Sequence, residues 1–354
     1  MSKASDSTKT AIVLFNLGGP DSLKAVKPFL FNLFNDKNII TLPSFFRYFI
    51  AWFISARREK TAIEIYSQMG GKSTILEETL GQANALKLEL SDKIKNEFEV
   101  FICMRHWHPM TEEIISRLET YRPAEIILVP LYPQFSTTTT ASSIEEFIKI
   151  KNKSLIKGIP SKVICCYPQD DNFAKAHASL ITKAIDQVKD KNNYRILFSA
   201  HGLPKKIIES GDPYQWQVES SVNAVLDQMP FDGLDYKITY QSKVGPLEWI
   251  GPNTEDEIKI AVKERKELVI VPIAFVSEHS ETLVELDIEY KNITNKQDFN
   301  YIRVPTLSIN NLFIKSLSEI ILKAKEKEGE FLTSSSLSRI CPSDFTKCPC
   351  KKVN

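Results

Sequence analysis

The chain lacks several features that would assign it to a common class of protein. Its formal net charge is only +1, and it has no basic block or finger spacing, so nothing points to nucleic acid. Residues 1–10 are polar and lack the apolar core of a secretory signal, so the six cysteines suggest reduced thiols in a cytoplasmic protein. Residues 18–20 lack the spacing and the third glycine of a dinucleotide fingerprint, which argues against a nicotinamide enzyme.

The composition that is present is that of an ordinary globular protein. Of the 354 residues, 43% are apolar and 25% are charged, and this length suggests about two domains. Three pieces of the first half recur in the second half in the same order, each a strand with its loop or a helix start. They are residues 12–20 with 196–204, 108–114 with 251–256, and 125–131 with 267–273. The repetition indicates two βαβ-type units built on one plan.

The first half carries an extra stretch between its first strand and the helix that follows Pro109. Within that stretch lies the strongly aromatic segment Leu42–Ile54, which is too short, and is interrupted by Arg47, to span a bilayer. A core helix, a lid over an apolar ligand and a membrane-surface contact are the three open interpretations. Because the segment is an addition to the repeated plan, we favour a lid or a membrane lip over ordinary core.

An acidic stretch follows the apolar run 268–273, which reads as a buried parallel strand. Glu278, Glu281 and Glu285 are spaced i, i+3 and i+7, so a helix would present them on one face, with Ser277 or Ser280 as its N-cap. His279 adds a ligand suited to divalent transition metals. Acidic residues also favour any helix N-terminus, but three carboxylates and a histidine at a strand end favour metal handling.

A histidine stands at the end of another predicted strand. His201 follows the apolar residues 196–200, Gly202 lets the chain turn after it, and the repeat places the apolar Leu17 at the equivalent position. Parallel sheets bind ligands beyond the carboxyl ends of their strands, so we expect these strand ends to line a cleft. A histidine there is either a structural hydrogen bonder or a base or ligand near neutral pH, and we favour the latter.

At this point several long motifs resemble those of the ferrochelatase family. The matching runs are NLGGPD from Asn16, YSQMGGKS from Tyr66, RHWHP from Arg105, YPQFS from Tyr132, FSAHGLP from Phe198, QSKVGP from Gln241, WIGP from Trp249, and VPIAF from Val271 through to Tyr290. The resemblance covers roughly residues 10 to 325. It implies a chelatase fold, an α/β fold of two flavodoxin-like (Rossmann-like) domains with parallel sheets and a cleft between the domains. It also implies a lyase that inserts Fe²⁺ into protoporphyrin IX, the last step of haem biosynthesis.

The resemblance also implies roles for individual residues. His201 and Glu281 become the catalytic, metal-binding pair, and Glu278, His279 and Glu285 become an acidic path leading to or from it. Six further residues fall at porphyrin-binding positions: Leu17, Arg58, Tyr66, Ser73, Arg105 and Trp249. His106 departs from the tyrosine found there in some members.

The cysteines near the C-terminus raise the question of a cofactor. Some members of the family hold a [2Fe–2S] cluster with three cysteines near the C-terminus and a fourth in the first half. Cys341, Cys348 and Cys350 are present here, but Thr137 occupies the fourth position, and four cysteines are the ordinary requirement. Cys165 and Cys166 remain as alternatives, although they read as part of a buried strand. We therefore expect no cluster, and no cofactor beyond the substrate Fe²⁺.

The domain boundaries follow from these assignments. We expect a first domain over 9–157, with the aromatic lip insertion at about 29–73 and a completing helix at about 308–327, a second domain over 158–307, and a disordered tail over 328–354. Contact with a membrane surface, if any, is expected through Leu42–Ile54. Two rival functions remain: another tetrapyrrole chelatase, using cobalt or nickel or acting on coproporphyrin, and a non-enzymatic haem or metal carrier.

Overall fold

The computed structural model describes residues 9–231, 233–294 and 299–350, and these residues divide into two compact units. The first unit comprises the described residues up to Tyr167, together with Ile314–Ile340, Pro349 and Cys350. The second comprises Pro168–Phe313 and Cys341–Cys348.

Each unit is built on one parallel sheet. In chain order the strands are β1 Thr10–Asn16, β2 Phe98–Met104, β3 Glu125–Pro130, β4 Ser161–Ile164, β5 Tyr194–His201, β6 Tyr236–Gln241, β7 Glu267–Pro272, β8 Tyr301–Arg303 and β9 Phe331–Thr333. The first sheet has the order β2-β1-β3-β4-β9 and the second the order β6-β5-β7-β8, with every described pairing parallel. The first order is that of flavodoxin-like folds, and the predicted α/β class is confirmed.

Helices connect the strands and cover the sheets. The α-helices are α1 Val26–Phe34, α2 Ser44–Gln68, α3 Ile75–Ser91, α4 Thr111–Tyr121, α5 Ser142–Lys151, α6 Asp171–Ile185, α7 Lys205–Glu209, α8 Tyr214–Leu226, α9 Thr254–Lys263, α10 Lys291–Thr294 and α11 Asn311–Glu326. Two further segments, Thr137–Ala141 and Glu281–Tyr290, are π-helical. A short 3₁₀ turn, Leu23–Ala25, precedes α1.

The interior strands β1 and β5 are largely apolar because helices cover both faces of each sheet. All seven residues of β1 are buried, and Phe15 of this strand packs edge-on against Phe147 of α5 with ring centroids 5.5 Å apart. In the second unit Phe198 of β5 lies in a core cluster with Val218 and Val222 of α8. Burying each such side chain contributes about 1.5–3 kcal/mol, so these contacts hold the strand ends in place.

The predicted internal repeat is confirmed by the sheets. β1 and β5 are both interior strands, and Phe15 pairs with Pro130 in the first sheet as Ser199 pairs with Pro272 in the second. The prolines that open the α4 and α9 segments, Pro109 and Pro252, both follow cis peptide bonds. A π-helical segment follows β3 in one unit and β7 in the other, so the plan extends beyond the strands.

The end of the chain differs from the expected disordered tail. β9 pairs with β4 of the first sheet, and Cys341, Cys348 and Cys350 are buried. The polar composition of 334–336 concealed this, because a three-residue edge strand leaves almost no periodic signal. The boundary between the units also lies at Tyr167, later than the expected 157, because β4 adds to the first sheet before the chain leaves it.

The extra stretch of the first half forms α1 and α2, which pack on each other around Val26, Phe29, Leu30 and Tyr66. The aromatic residues at the start of α2 lie outside this contact. Five of them are between 53% and 66% exposed: Phe45, Phe46, Phe49, Trp52 and Phe53. An ordinary core helix is therefore the wrong interpretation of this segment. Among the described residues, no helix has both the length and the apolar character needed to cross a membrane.

Candidate active site

Three elements of the second unit bring the candidate catalytic residues together. β5 ends at His201, the adjacent β6 ends at Gln241, and these two residues are register partners in the sheet. The π-helix that follows β7 begins at Glu281. Since the carboxyl ends of parallel strands meet at one sheet edge, this edge collects side chains from three distant parts of the sequence.

The side chains of His201 and Glu281 are in direct hydrogen-bond contact, which becomes an ion pair when the imidazole is protonated. The Nδ1 atom of His201 lies 2.8 Å from Oε2 of Glu281, with 36% of the histidine side chain and 24% of the glutamate side chain exposed. Burial lowers the His201 pKa, but the charge and hydrogen bond of Glu281 outweigh it, so the His201 pKa lies above its ordinary value. Burial raises the Glu281 pKa, yet the charge of His201 brings it down to about 2. The glutamate is therefore ionised throughout the physiological range.

His279 stands beside the same carboxylate. Its Nε2 atom lies 3.9 Å from Oε2 of Glu281, and its Nδ1 atom lies 2.9 Å from the carbonyl oxygen of Ser277. The carbonyl accepts a hydrogen bond from Nδ1–H, so Nε2 is the ring nitrogen that faces Glu281. A histidine that binds a metal through Nε2 needs this tautomer. Within residues 9–231, 233–294 and 299–350, no set of three or more His, Cys, Asp or Glu side chains is arranged to hold a metal ion.

The expectation that three glutamates share one helix face is wrong. The helix begins only after Ser280, so Glu278 lies before it, where Oε1 accepts a hydrogen bond of 2.6 Å from Arg303 and one of 3.0 Å from the Thr306 amide. Ser280 precedes the helix but makes no side-chain cap. The i, i+3, i+7 rule assumed an α-helix, whereas a π-helix has a wider turn and displaces its side chains from that spacing.

Glu285 accepts hydrogen bonds from every side. Its Oε1 accepts from the Ser242 amide and the Tyr290 hydroxyl, both at 2.8 Å, and its Oε2 accepts from Gln241 Nε2 at 2.9 Å and Ser242 Oγ at 2.5 Å. A carboxylate has about four lone-pair positions, and all are occupied here. Of the predicted acidic path, His279 stands beside the Glu281 carboxylate, whereas Glu278 and Glu285 are held by other partners.

Two aromatic residues and a glycine frame the histidine. The Tyr214 hydroxyl donates to the His201 carbonyl at 3.0 Å, and the Trp249 ring lies edge-on to the imidazole with centroids 6.4 Å apart. A Cβ on Gly202 would lie 2.9 Å from the Gln241 carbonyl oxygen and 3.2 Å from the Trp249 ring. Gly202 is therefore needed for this close approach, and its φ is not among those in the left-handed region.

The predicted porphyrin-binding residues of the first unit form a separate set. At the end of β1, Leu17 is half-buried and its amide donates to Asn16 Oδ1 at 2.8 Å, while Ser73 packs directly beneath Gly19. Arg105 donates from Nε to Ser142 Oγ at 2.7 Å and forms a 2.8 Å ion pair with Asp36, whose side chain is fully buried. Arg105 is thus held by the protein itself, a constraint that its motif did not show.

Arg58 and Tyr66 lie elsewhere in the first unit. Arg58 is exposed on α2 and stacks over the Phe34 ring at 5.7 Å, and Tyr66 is buried between α1 and α2. His106 is also buried, which lowers its pKa to about 3, so it is neutral at any ordinary pH. The His106 imidazole is packed in the interior beside Asp36, and its Nε2 atom lies 3.9 Å from the Asp36 carboxylate.

Sequence reasoning missed several residues that hold the site. Gln241 fixes the start of the acidic helix, Asp36 and Ser142 hold Arg105, and Arg303 holds Glu278. Gln241 could have been suspected, because it ends a strand adjacent to His201. Asp36 lies in the extra stretch, far from Arg105 in the chain, and no local pattern indicates that contact.

Comparison with known proteins finds ferrochelatases among the similar sequences. The family model described as Ferrochelatase matches residues 9–325. The ferrochelatase of Rickettsia bellii is 58% identical over 344 residues, covering 97% of this chain and 95% of that protein, and the ferrochelatase of Pelagibacter ubique is 50% identical, covering 97% and 98%.

A solved structure shares the architecture at much lower sequence identity. SirB from Bacillus subtilis, determined with Fe³⁺, is 13% identical and superimposes with a TM-score of 0.55, covering 91% of this chain and 99% of that one. This likeness carries the fold alone.

Proposed function

The chain belongs to the ferrochelatase family of metal chelatases, and on that premise we propose that it is the lyase that inserts Fe²⁺ into protoporphyrin IX. The reaction releases two protons and forms protohaem, the last step of haem biosynthesis. The observation that carries the proposal is the 2.8 Å pair of His201 and Glu281 at the carboxyl end of β5. No other described histidine combines partial exposure with a carboxylate partner at a strand end.

The pair supplies what metal insertion requires. The macrocycle holds two N–H protons that must leave as the metal enters, and a neutral imidazole can accept one of them. Glu281 stabilises the imidazolium that forms, which is the same effect that raises the His201 pKa in the free protein. Glu281 therefore makes His201 a stronger base and holds the ring with Nδ1 toward the carboxylate.

The same groups suit a transient iron site. Imidazole nitrogen and carboxylate oxygen bind Fe²⁺ without the thiolates of closed structural sites, and a set of only two or three protein ligands leaves positions for the pyrrole nitrogens. We propose His201 and Glu281 as the ligands, with His279 Nε2 as the next group on the path of the metal. Because every lone pair of Glu285 is engaged and Glu278 is paired with Arg303, we leave both out of the direct iron path.

Substrate-binding residues are proposed in each unit separately. In the first unit the candidates for contact with a flat ring are Leu17 and Ser73, at or near the end of β1, and Tyr66 on α2. In the second unit the candidate is Trp249 beside His201. Arg58, exposed on α2, offers a cation for a propionate. Arg105 is 16% exposed and already paired with Asp36, so we assign it a lesser share of propionate binding.

An anaerobic assay separates this function from its rivals. The protein is incubated with protoporphyrin IX and Fe²⁺, and formation of haem is followed by absorbance over many turnovers. A carrier would bind haem without turnover, and a chelatase for another tetrapyrrole would prefer coproporphyrin, cobalt or nickel in parallel reactions. Turnover with protoporphyrin and iron exceeding all of these is the expected result.

We also propose a cytoplasmic location with peripheral contact to the inner face of the membrane through Leu42–Ile54. The exposed aromatics of α2 form a surface of the kind that inserts into the interface between lipid headgroups and acyl chains. Arg47 is engaged with the carbonyl oxygens of Asn35 and Leu42, both at 2.8 Å, so its charge does not interrupt that surface. Protoporphyrin is strongly apolar, so collecting it at a membrane suits the proposed reaction.

The proposed catalysis needs no cofactor beyond Fe²⁺. Cys165 Sγ lies 3.5 Å from the sulfurs of both Cys166 and Cys350, so three buried thiols of the first unit are neighbours. Across the part of the chain that the structure describes, no set of three or more His, Cys, Asp or Glu side chains is arranged to hold a metal ion, so we propose that these thiols hold no iron–sulfur cluster.

The absorption spectrum of the purified protein decides between free thiols and a cluster. Protein prepared without oxygen is expected to be colourless in the visible range if the thiols are free. Charge-transfer bands that disappear in Cys165→Ser, but survive in the matched buried control Cys103→Ser, would instead establish an iron–sulfur group.

A further inference from the structure

Gln241, the last residue of β6, and Ser242, which follows it, bind the first two turns of the acidic helix Glu281–Tyr290. The side-chain amide of Gln241 donates from Nε2 to the Glu281 carbonyl oxygen and to Glu285 Oε2, both at 2.9 Å. Its Oε1 accepts from Ser199 Oγ at 2.8 Å, and its own carbonyl accepts from the Gly202 amide at 2.9 Å. Gln241 is fully buried, and every polar group of its side chain is used.

Gln241 therefore connects the two halves of the catalytic pair, through its side chain and its backbone together. It contacts the backbone of Glu281 on one side, and on the other side it is the strand partner of His201 and bonds the amide of Gly202. Ser199, which holds its carbonyl end, is itself 2.9 Å from Thr254 Oγ1. The distance from His201 to Glu281 is thus fixed by a network that contacts neither of their reacting atoms.

Glu285 completes the network from the helix side. It accepts from Gln241, twice from Ser242 and from Tyr290, so the helix is fastened to the loop after β6 by one carboxylate. Ser242 has a φ of +65°, a left-handed conformation that costs a non-glycine residue free energy, and both of its donors point at Glu285. The two hydrogen bonds to Glu285 stabilise the left-handed conformation of Ser242, and that conformation directs both donors at the carboxylate.

We propose that Gln241 and Glu285 are positioning residues that set the geometry of the His201–Glu281 pair, and that Glu285 does not relay the metal ion. This inference rests on the proposed function, since the pair is the proposed site of metal insertion. It assigns Glu285 a role through hydrogen bonds to fixed donors, whereas a relay would need free lone pairs.

An exchange of the two side chains tests the proposal. In Gln241→Glu two carboxylates would face each other. In Glu285→Gln the new NH₂ group faces either the Gln241 amide or the Ser242 amide, so in each orientation a donor meets a donor and one contact of the carboxylate is lost. In the double variant Gln241→Glu with Glu285→Gln, an amide faces a carboxylate again, although the bonds to the Glu281 carbonyl and to one donor of Ser242 are not restored. Gln241→Asn, which keeps the amide but shortens it, serves as a second way to break the contact. Tyr290→Phe removes one outer hydrogen bond and serves as the matched control.

We expect each contact-breaking variant, at Gln241 as at Glu285, to lower kcat by about 10²-fold and to raise the KM for Fe²⁺ in parallel, with little change in the KM for porphyrin, because misplacement by about 1 Å costs that much. The double variant should recover part of this loss, and Tyr290→Phe should fall between it and the wild type. If the KM for Fe²⁺ rises in Glu285→Gln but stays at the wild-type value in the Gln241 variants, Glu285 relays the metal ion and the proposal is wrong. A double variant no better than the worse single variant would also overturn the proposal.

Titration with Zn²⁺ repeats the comparison without turnover. The contact-breaking variants should bind Zn²⁺ more weakly than the wild type, and the double variant should regain affinity. If the wild type inserts no metal into any porphyrin, the proposed function fails, while the Zn²⁺ series still decides whether Gln241 and Glu285 act together. Thermal melts on the same samples identify any variant that has simply lost its fold. A Zn²⁺ affinity unchanged in all variants would contradict the positioning role.

Discussion

The carboxyl edges of the two sheets share one backbone plan but have opposite chemistry. In the first unit the plan leads to Leu17 at the end of β1, and the cation nearby, Arg105, is already neutralised by the buried Asp36. In the second unit the same position carries His201, and its partner Glu281 is partly exposed. In the first unit the charge of Arg105 is compensated by a buried carboxylate. In the second unit the His201–Glu281 pair is partly exposed and can contact a ligand.

The two π-helices show the same divergence. Thr137–Ala141 in the first unit is short and uncharged, with Ser136 capping it by accepting from the Thr138 amide. Glu281–Tyr290 in the second unit is twice as long, begins with Glu281, the proposed partner of His201, and has no side-chain cap. A duplicated frame therefore supplies a fixed place for side chains, and the chemistry depends on which side chains occupy it. Variants at matched positions should accordingly fail in different ways.

His201→Ala should show the largest effect on activity. Removal of a positioned base typically lowers the rate by about 10²–10⁴-fold, while the half-exposed imidazole contributes little packing. Steady-state haem formation gives the rate, and quenching of porphyrin fluorescence shows whether substrate still binds. His108→Ala is the matched control, because His108 is exposed and paired only with Glu113. A rate within tenfold of wild type would remove His201 from the catalytic pair.

Arg105→Ala should instead show its largest effect on stability. The variant leaves the fully buried carboxylate of Asp36 without its cation, and breaking such a buried pair costs about 3–5 kcal/mol. Urea unfolding would measure the loss, and adding Asp36→Asn should restore part of it. If Arg105→Ala unfolds normally and only raises the KM for porphyrin, Arg105 is a substrate ligand first and the contrast between the edges weakens.

Glu281→Gln should shift the pH dependence of the rate. Burial lowers the His201 pKa, the Glu281 carboxylate makes the larger contribution to raising it, and the charge of Glu285 adds a smaller one. The His201 pKa of the variant should therefore fall, so the imidazole stays neutral to lower pH. The acidic limb of the rate profile should move to lower pH while the plateau rate drops. An unmoved acidic limb would show that another group controls it.

The fold was largely predictable, because its signals are local or repeated. The apolar runs at 12–15 and 268–273 identified two interior strands, β1 and β7, and the repeat predicted that they belong to two like units. β9 was not predictable, since three residues at a sheet edge carry no period. Its pairing with β4 depends on contacts between positions far apart in the chain, which local patterns do not encode.

The site was predictable in its residues but not in its hydrogen bonds. His201 and Glu281 were identified by their motifs, and the structure brings them into contact. The separation of Glu278 and Glu285 from the pair was not predictable, because it depends on a π-helix and on partners such as Arg303 and Gln241. Tertiary packing determines the helix type and the long-range partners. A spacing rule such as i, i+3, i+7 presupposes an α-helix and cannot predict that the helix is of another type.

The exposed aromatics of α2 should show the smallest effect on chemistry. Phe49 and Trp52 are 53% and 57% exposed, and each would contribute about 1.5–3 kcal/mol if an interface removed it from water. Replacing both with Ser should weaken co-sedimentation with anionic liposomes by about tenfold or more, since 1.4 kcal/mol corresponds to a factor of ten. The KM for porphyrin should rise and kcat should stay nearly constant, because His201 and Glu281 belong to the other unit. Leu155→Ser is the matched control, since Leu155 is 88% exposed in a loop far along the chain from α2. If kcat collapses while liposome binding and KM hold steady, the start of α2 belongs to the catalytic machinery and does not contact lipid.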